Sequence, residues 1–396
     1  MLGFIVNFGS SSIKARLIDT DTKKDLFEAK AEHLKTESAT ITTNADFFSQ
    51  TLNNCKNMSN EEILRYIVKN IFERGIISNL NEISFVGHRI VHGGTFFSDS
   101  TIITEDVIKK IESCNDLAPL HNPEGVDGIK CCRKLLSNIP HIAVFDTAFH
   151  QTVPKRNYTY PIPTELTNDG IRKYGFHGTS YSYLTRVLSE KVGRQNICAI
   201  MAHIGQGTSI CAVQHGVSVY TSMEFSPLSG CMMGTRSGSV DPALIPYLEK
   251  THGLTAKDTL EILNKQSGLF AIAGTSNMLE ILAGAENGNF SCSFALDLFC
   301  QSIAENIAKG IIALGKRPKQ IVFTGGIGEN SELVRNKILE LLKPFIGEFD
   351  FHSSPKYGVS VKGLLNNLKV EQKPEVFVIK TNEELEIALE ASELLS

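Results

Sequence analysis

Four charged side chains of this sequence stand in apolar or glycine-rich surroundings. Arg89 lies in Gly87-His88-Arg89-Ile90-Val91-His92-Gly93-Gly94, and Asp146 closes the apolar run Val144-Phe145-Asp146. His177 lies in Tyr174-Gly175-Phe176-His177-Gly178-Thr179-Ser180, and Arg236 in Gly234-Thr235-Arg236-Ser237-Gly238-Ser239. Taken singly, each has a plain reading as a hydrogen-bonded core histidine or a buried salt-bridge partner. Together, two arginines, an aspartate and a histidine form the set that phosphoryl transfer requires. They supply anion clamps, an orienter for metal or nucleophile, and a donor to the equatorial oxygens.

Four turns of glycine and hydroxyl residues follow apolar runs, at 9–12, 205–209, 234–239 and 325–330. Small residues let backbone N–H groups approach a phosphate closely. None of the four matches G-x-x-x-x-G-K-[ST] or G-x-G-x-x-G, so neither a P-loop nor a dinucleotide fingerprint is present. Glu383, in Thr381-Asn382-Glu383-Glu384, and Asp146 offer the oxygen ligands that Mg²⁺ prefers. For Glu383, a helix-start carboxylate behind a Thr381 cap is an equally adequate explanation. His88-x3-His92 lacks the helix and glutamate of a zinc protease.

Short Val-, Ile- and Phe-rich runs supply the strands that must position these groups: 4–7, 13–18, 85–91, 142–145, 197–201, 210–213, 321–324 and 376–379. Apolar residues at three- and four-residue spacing predict helices at 61–72, 107–114, 293–314 and 333–342. Their alternation predicts an α/β protein. The polar stretch 44–60 reads as loop or short helix. The run Phe4-Ile5-Val6-Asn7-Phe8-Gly9-Ser10-Ser11-Ser12-Ile13 is echoed by Ile200-Met201-Ala202-His203-Ile204-Gly205-Gln206-Gly207-Thr208-Ser209-Ile210. Such an echo, almost half a chain apart, predicts a duplicated unit with a ligand between the halves.

The 396 residues carry 39 Lys plus Arg against 43 Asp plus Glu, a formal charge of −4, so no excess positive charge is available to hold nucleic acid or an anionic membrane. No apolar run approaches the roughly 18 residues of a membrane span, and the first residues do not form a signal peptide. The nine cysteines show no C-x-x-C pair and read as small buried hydrophobes, which points to a cytoplasmic protein.

The sequence resembles the acetate kinase family nearly end to end. The resemblance is carried by Val6-Asn7-Phe8-Gly9-Ser10-Ser11-Ser12-Ile13-Lys14, 87–94, Leu117-Ala118-Pro119-Leu120-His121-Asn122-Pro123, 144–150, 174–180, 233–242, 324–330 and 381–384. It implies two duplicated actin-like ATPase (ribonuclease H-like) domains closing over a nucleotide. One covers 1–150 plus about 381–396 on the acyl and metal side; the other covers 151–380 on the nucleotide side. It also implies transfer of the ATP γ-phosphoryl group to acetate with Mg²⁺ (Mn²⁺ as a substitute), giving acetyl phosphate and ADP, in a homodimer.

By the same resemblance Asn7 and Glu383 are metal positions and Lys14 contacts nucleotide. Arg89 and Arg236 hold the acyl substrate and the transferring group, Asp146 is the catalytic carboxylate, and His177 stabilises the transition state. Val91, Leu120, His121, Phe176 and Pro227 surround the acyl substrate. The nucleotide loops are His203, Ile204, Gly205, Gln206 and Gly207, then Met278, Leu279 and Glu280, and Gly326, Ile327, Gly328, Glu329 and Asn330. Gln206 stands where the family has Asn, Glu280 closes a segment that is often Asp-Phe-Arg there, and Tyr181 replaces a common His. These departures touch the nucleotide loops and leave the phosphoryl donor open among ATP, GTP and pyrophosphate. Acetate, propionate and butyrate remain alternatives as acceptor, and an inactive scaffold would have lost the charged set.

Overall fold

A computed structural model describes residues 1–119, 121–347 and 373–396. The chain divides into two units: Met1–Phe149, Gly178–Tyr183 and Asn382–Ser396 form the first, and His150–His177 and Leu184–Thr381 the second.

The first unit is built on strands β1 (Leu2–Gly9), β2 (Ser12–Asp19), β3 (Lys24–Glu32), β4 (Thr40–Ala45), β5 (Phe48–Asn53), β6 (Phe85–Ile90), β7 (Thr101–Ile102) and β8 (His141–Phe145). Among the described residues they form one sheet in the order β5-β4-β3-β2-β1-β6-β8-β7. The second unit holds β9 (Cys198–Ile204), β10 (Thr208–Gln214), β11 (Val217–Thr221), β12 (Gln320–Thr324) and β13 (Glu375–Val378), in the order β11-β10-β9-β12-β13.

The central five strands of the two sheets share one topology. A three-strand antiparallel meander, β1-β2-β3 or β9-β10-β11, has its first strand flanked by two parallel strands, β6 and β8 or β12 and β13. Helices recur in matching places along the chain. Asn60–Glu73 and Phe290–Leu314 come after the meanders, Asn122–Leu135 and Glu332–Ile346 join the parallel strands, and Gly178–Val192 and Glu383–Leu395 come after the last strands, although Glu383–Leu395 belongs to the first unit and Gly178–Val192 is divided between the two. The sequence echo falls on β1–turn–β2 and β9–turn–β10. The two units thus repeat one α/β arrangement.

Alternation along β1 explains the layering. Phe4, Val6 and Phe8 enter a core with Ile63, Leu64, Ile67 and Ile71 of helix Asn60–Glu73. Ile5 points the other way, to Leu385, Ile387 and Ala388 of the C-terminal helix. In the second unit β9 and β10 pack against Phe299 and Ile303 of helix Phe290–Leu314 and Ile338 and Leu342 of Glu332–Ile346.

Three expectations are corrected. The segment 44–60 contributes an edge hairpin, because β-branched Thr40, Ile41, Thr42 and Thr43 favour a strand and Thr42 and Thr51 meet hydroxyl to hydroxyl at 3.1 Å. Its partner β5 is largely exposed and polar, so no apolar alternation marked it. The cap of the last helix is Asn382, whose side chain accepts from Leu385 N at 3.1 Å, rather than Thr381. Finally, 268–286 is long and apolar enough to cross a membrane by length and composition. It folds as two helices, Gly268–Ala273 and Met278–Glu286, broken at left-handed Gly274, and buries Leu269, Met278 and Ile281 in the second unit's core.

Candidate active site

In the first unit the charged residues gather where the parallel strands end. Asn7 lies near the end of β1 opposite Lys14 on β2, Arg89 near the end of β6, and Asp146 one residue beyond β8. Arg89 reaches the carboxylate of Asp146 with two donors, Nε to Oδ1 at 3.1 Å and Nη2 to Oδ2 at 2.6 Å. Thr179 donates to the same Oδ1 at 3.1 Å. The start of helix Gly178–Val192 is pinned there as well, because Gly178 N donates to the Asp146 carbonyl at 2.9 Å. A Cβ at 178 would stand 2.1 Å from that oxygen, so only glycine permits the approach.

Glu383 Oε2 stands 3.8 Å from Arg89 Nε. Burial pushes the Glu383 carboxyl up, to about 7, with Arg89 opposing and the charges of Asp146 and Glu384 adding to the rise. For Arg89 burial works against the charged form, but Asp146 and then Glu383 outweigh it, and the guanidinium is held charged. Arg89 lies between two carboxylates, while Asn7 and Glu383 present oxygen donors and Lys14 is exposed nearby. Val91 and His121 are half-buried at the exits of β6 and before helix Asn122–Leu135. Leu120 lies outside the described residues.

In the second unit the loop joining β9 to β10 is the centre. His177 has a left-handed backbone (φ 59°), and its Nδ1 meets Ser209 Oγ at 2.8 Å. Its ring stacks on His203 with centroids 4.3 Å apart. A Cβ at Gly207 would lie 3.4 Å from His177 Nε2 and 3.7 Å from Arg236 Nη1, so this glycine keeps the space between histidine, arginine and loop clear. Arg236 is half-buried, and among the described residues its donors reach the Pro227 carbonyl at 3.3 Å and the Met233 sulfur at 3.9 Å, and no carboxylate. Burial lowers its pKa. An unneutralised, partly desolvated cation beside a histidine is a place prepared for an anion.

Beside that loop runs a cleft of about 690 Å³ whose lining includes Gln206, Met278, Leu279, Gly326, Ile327 and Asn330. This volume suits a nucleotide-sized ligand. Gln206 crosses Gly234, where a Cβ would collide with its Oε1 at 2.2 Å, and points Nε2 toward the Ser276 carbonyl at 3.5 Å. Gly328 is buried behind the cleft. Glu329 turns inward, its Oε1 accepting from Thr324 Oγ1, Gly325 N and Thr381 N at 3.0–3.1 Å. Glu280 does not line the cleft; its carboxylate accepts from Thr275 Oγ1 at 2.6 Å and Asn277 Nδ2 at 3.1 Å at the start of its helix. Phe176 is buried, and its carbonyl lies 3.0 Å from His150 Nε2.

Sequence reasoning missed the supporting groups. Ser209 sat in the glycine-hydroxyl turn 205–209 and Thr179 two residues after His177, which was signal enough to suspect them. Arg335, whose Nη1 donates to the Gly328 and Glu329 carbonyls at 2.8 and 2.9 Å, carried no local sign.

The acetokinase family model matches residues 2–389. This chain belongs to the acetokinase family. Among its relatives, acetate kinase of Staphylococcus carnosus is 42% identical, over 98% of this chain and 97% of its own. That of Thermoanaerobacter pseudethanolicus is 41% identical, over 99% and 98%. The Porphyromonas gingivalis acetate kinase structure superposes with a TM-score of 0.87 at 33% identity, covering all of both chains. A Francisella tularensis propionate kinase superposes with a TM-score of 0.87 at 36% identity, covering 98% of each. As a member of the acetokinase family, this chain is a phosphotransferase with a carboxyl group as acceptor and ATP/ADP as co-substrate.

Proposed function

We propose that this acetokinase-family enzyme reversibly transfers the γ-phosphoryl group of ATP to acetate, in a single in-line step, giving acetyl phosphate and ADP. The observation that carries this reading is Arg236, held beside His177 and Gly207 with no carboxylate on it among the described residues. Such a cation is preorganised for charge that develops on the equatorial oxygens of a phosphoryl group in flight.

A carboxylic acid with a pKa of about 4.3 is already ionised at pH 7, so the acceptor needs no general base. Asp146, held by Arg89 and Thr179, is therefore an orienter and not a proton acceptor. Arg89 clamps the acceptor carboxylate, and His177, fixed through Ser209, donates to the phosphoryl oxygens. The half-buried Glu383 carboxylate, raised by burial and by like charges, and the Asn7 amide near the end of β1 are oxygen ligands of the kind Mg²⁺ takes, and would hold it. That ion, when bound, neutralises charge on the nucleotide phosphates.

The propionate kinase likeness gives a second acceptor some weight. One methylene changes binding by only about 1–3 kcal/mol, so the apolar side chains nearest the acyl group, Val91 among them by the family resemblance, decide between the acids. ³¹P NMR of the protein with ATP, Mg²⁺ and acetate tests the reading. Acetyl phosphate and ADP should appear one for one, and release of inorganic phosphate in place of acetyl phosphate would contradict it.

A further inference from the structure

The segment that follows β6 has lost its strand partner. The last ladder contact is Asp146 N to the Ile90 carbonyl at 2.9 Å, and beyond it residues 92–94 remain buried. Their backbone groups are met by side chains. Asn122, fully buried, accepts from His92 N at 3.0 Å through Oδ1 and donates to the His92 carbonyl at 2.9 Å through Nδ2, imitating one rung of a sheet. Thr147 Oγ1 accepts from Gly93 N at 3.1 Å, and the His92 ring accepts from Gly94 N at 2.9 Å.

Resting on the function proposed above, we infer that Asn122 is a positioning residue that sets acyl-chain selectivity. It ties together two segments whose adjacent residues, Val91 before His92 and His121 before Asn122, are those the family resemblance assigns to the acyl substrate. Both bonds to His92 go to main-chain atoms, as does a longer one from Nδ2 to the Ile111 carbonyl at 3.5 Å, so the amide fixes where the Val91 backbone can stand whatever side chain that position carries. A buried main-chain N–H and carbonyl without partners are strongly disfavoured, so the segment must move when either is lost. A wall no longer held in place can give way to a methylene that the held wall rejects.

The test compares the wild type with Asn122→Asp, which can still accept from His92 N but cannot donate to its carbonyl, and with Asn122→Ala, which does neither. kcat/KM for acetate and for propionate, KM for ATP, and hydrogen exchange of the peptide covering 85–95 are measured on each. The acetate-to-propionate ratio should fall by about fivefold or more, a part of what one methylene commands. KM for ATP should stay within about twofold, the change appearing mainly in KM for the acids. Exchange should rise at 91–94 and stay unchanged in helix Asn60–Glu73. If Asn122→Ala does not fold, Asn122→Asp carries the comparison. An unchanged ratio, with both acids falling together or not at all, would overturn the inference, as would unchanged exchange at 91–94. Absence of acyl phosphate from every acid in the wild type overturns the proposed function instead, and the selectivity role with it. The exchange measurement then still decides whether Asn122 holds the segment.

Discussion

Arg89 and Asp146 meet through two parallel contacts, Nε to Oδ1 at 3.1 Å and Nη2 to Oδ2 at 2.6 Å, from adjacent parallel strands. The paired geometry fixes the plane of the guanidinium as well as its position, which a lysine could not reproduce.

Asp146→Asn keeps the shape of this contact and removes its charge. We expect kcat/KM for acetate to fall by about 10², because the guanidinium loses its orienting partner and Glu383 becomes its remaining anion. Steady-state kinetics with acetate varied checks this; a wild-type kcat/KM would show that the pair serves the fold alone.

Arg236→Ala should lower kcat by about 10²–10³, since it deletes a preorganised charge that acts mainly in the transition state. KM for acetate should change little. A variant altered only in that KM would assign Arg236 to ground-state binding.

Much of this was legible in the residues themselves. The echo between 4–13 and 200–210 fell on the same strand–turn–strand corner of the five-strand arrangement that the two sheets share, because a tight turn between antiparallel strands constrains its sequence locally. The hairpin at 40–53 was not legible in its second strand, where exposed polar residues carry no apolar period. Glu280 and Glu329 show a different limit. Each sits in a nucleotide-loop motif, yet one caps a helix and the other braces main-chain amides, and only the local backbone decides which.

Three buried histidines make the first unit sensitive to acid. Burial, and then the neighbouring His141, hold His88 well below its usual pKa; burial alone lowers His92 to about 4; and burial, against the Leu136 carbonyl, lowers His141 to about 4. His141 Nε2 lies 3.1 Å from that carbonyl, which can only accept, so His141 donates there and receives the His88 Nε2 proton on Nδ1. Each folded pKa lies below the unfolded value near 6.5. The stabilisation is therefore complete above pH 6.5 and lost as pH falls from 6.5 toward 4. The slope is about 1.4 kcal/mol per pH unit for each histidine. Urea midpoints should be flat from pH 7 to 8 and drop steeply between pH 6 and 5. Replacing His88 and His141 by an apolar pair should flatten that drop, and an unaltered profile would place its origin elsewhere.

The nucleotide loops give a paired prediction. Glu280→Arg should leave KM for ATP, GTP and pyrophosphate within about twofold, and lower stability by about 0.5–1 kcal/mol through loss of an N-terminal capping carboxylate. Gln206→Asn withdraws the amide from Ser276 and should shift KM for ATP by about fivefold, the value of one hydrogen bond. The reverse pattern, with Glu280→Arg changing donor choice, would put that side chain in the nucleotide site.

Acyl phosphate formed by the enzyme is trapped directly by hydroxylamine as the hydroxamate. With Mg²⁺ and ATP, acetate should give the highest kcat/KM, propionate a lower one and butyrate a lower one still, each step within about 10–200-fold for a methylene. Equal kcat/KM for acetate and butyrate would contradict the acetate assignment, and no hydroxamate with any acid or donor would contradict the phosphotransferase reading altogether.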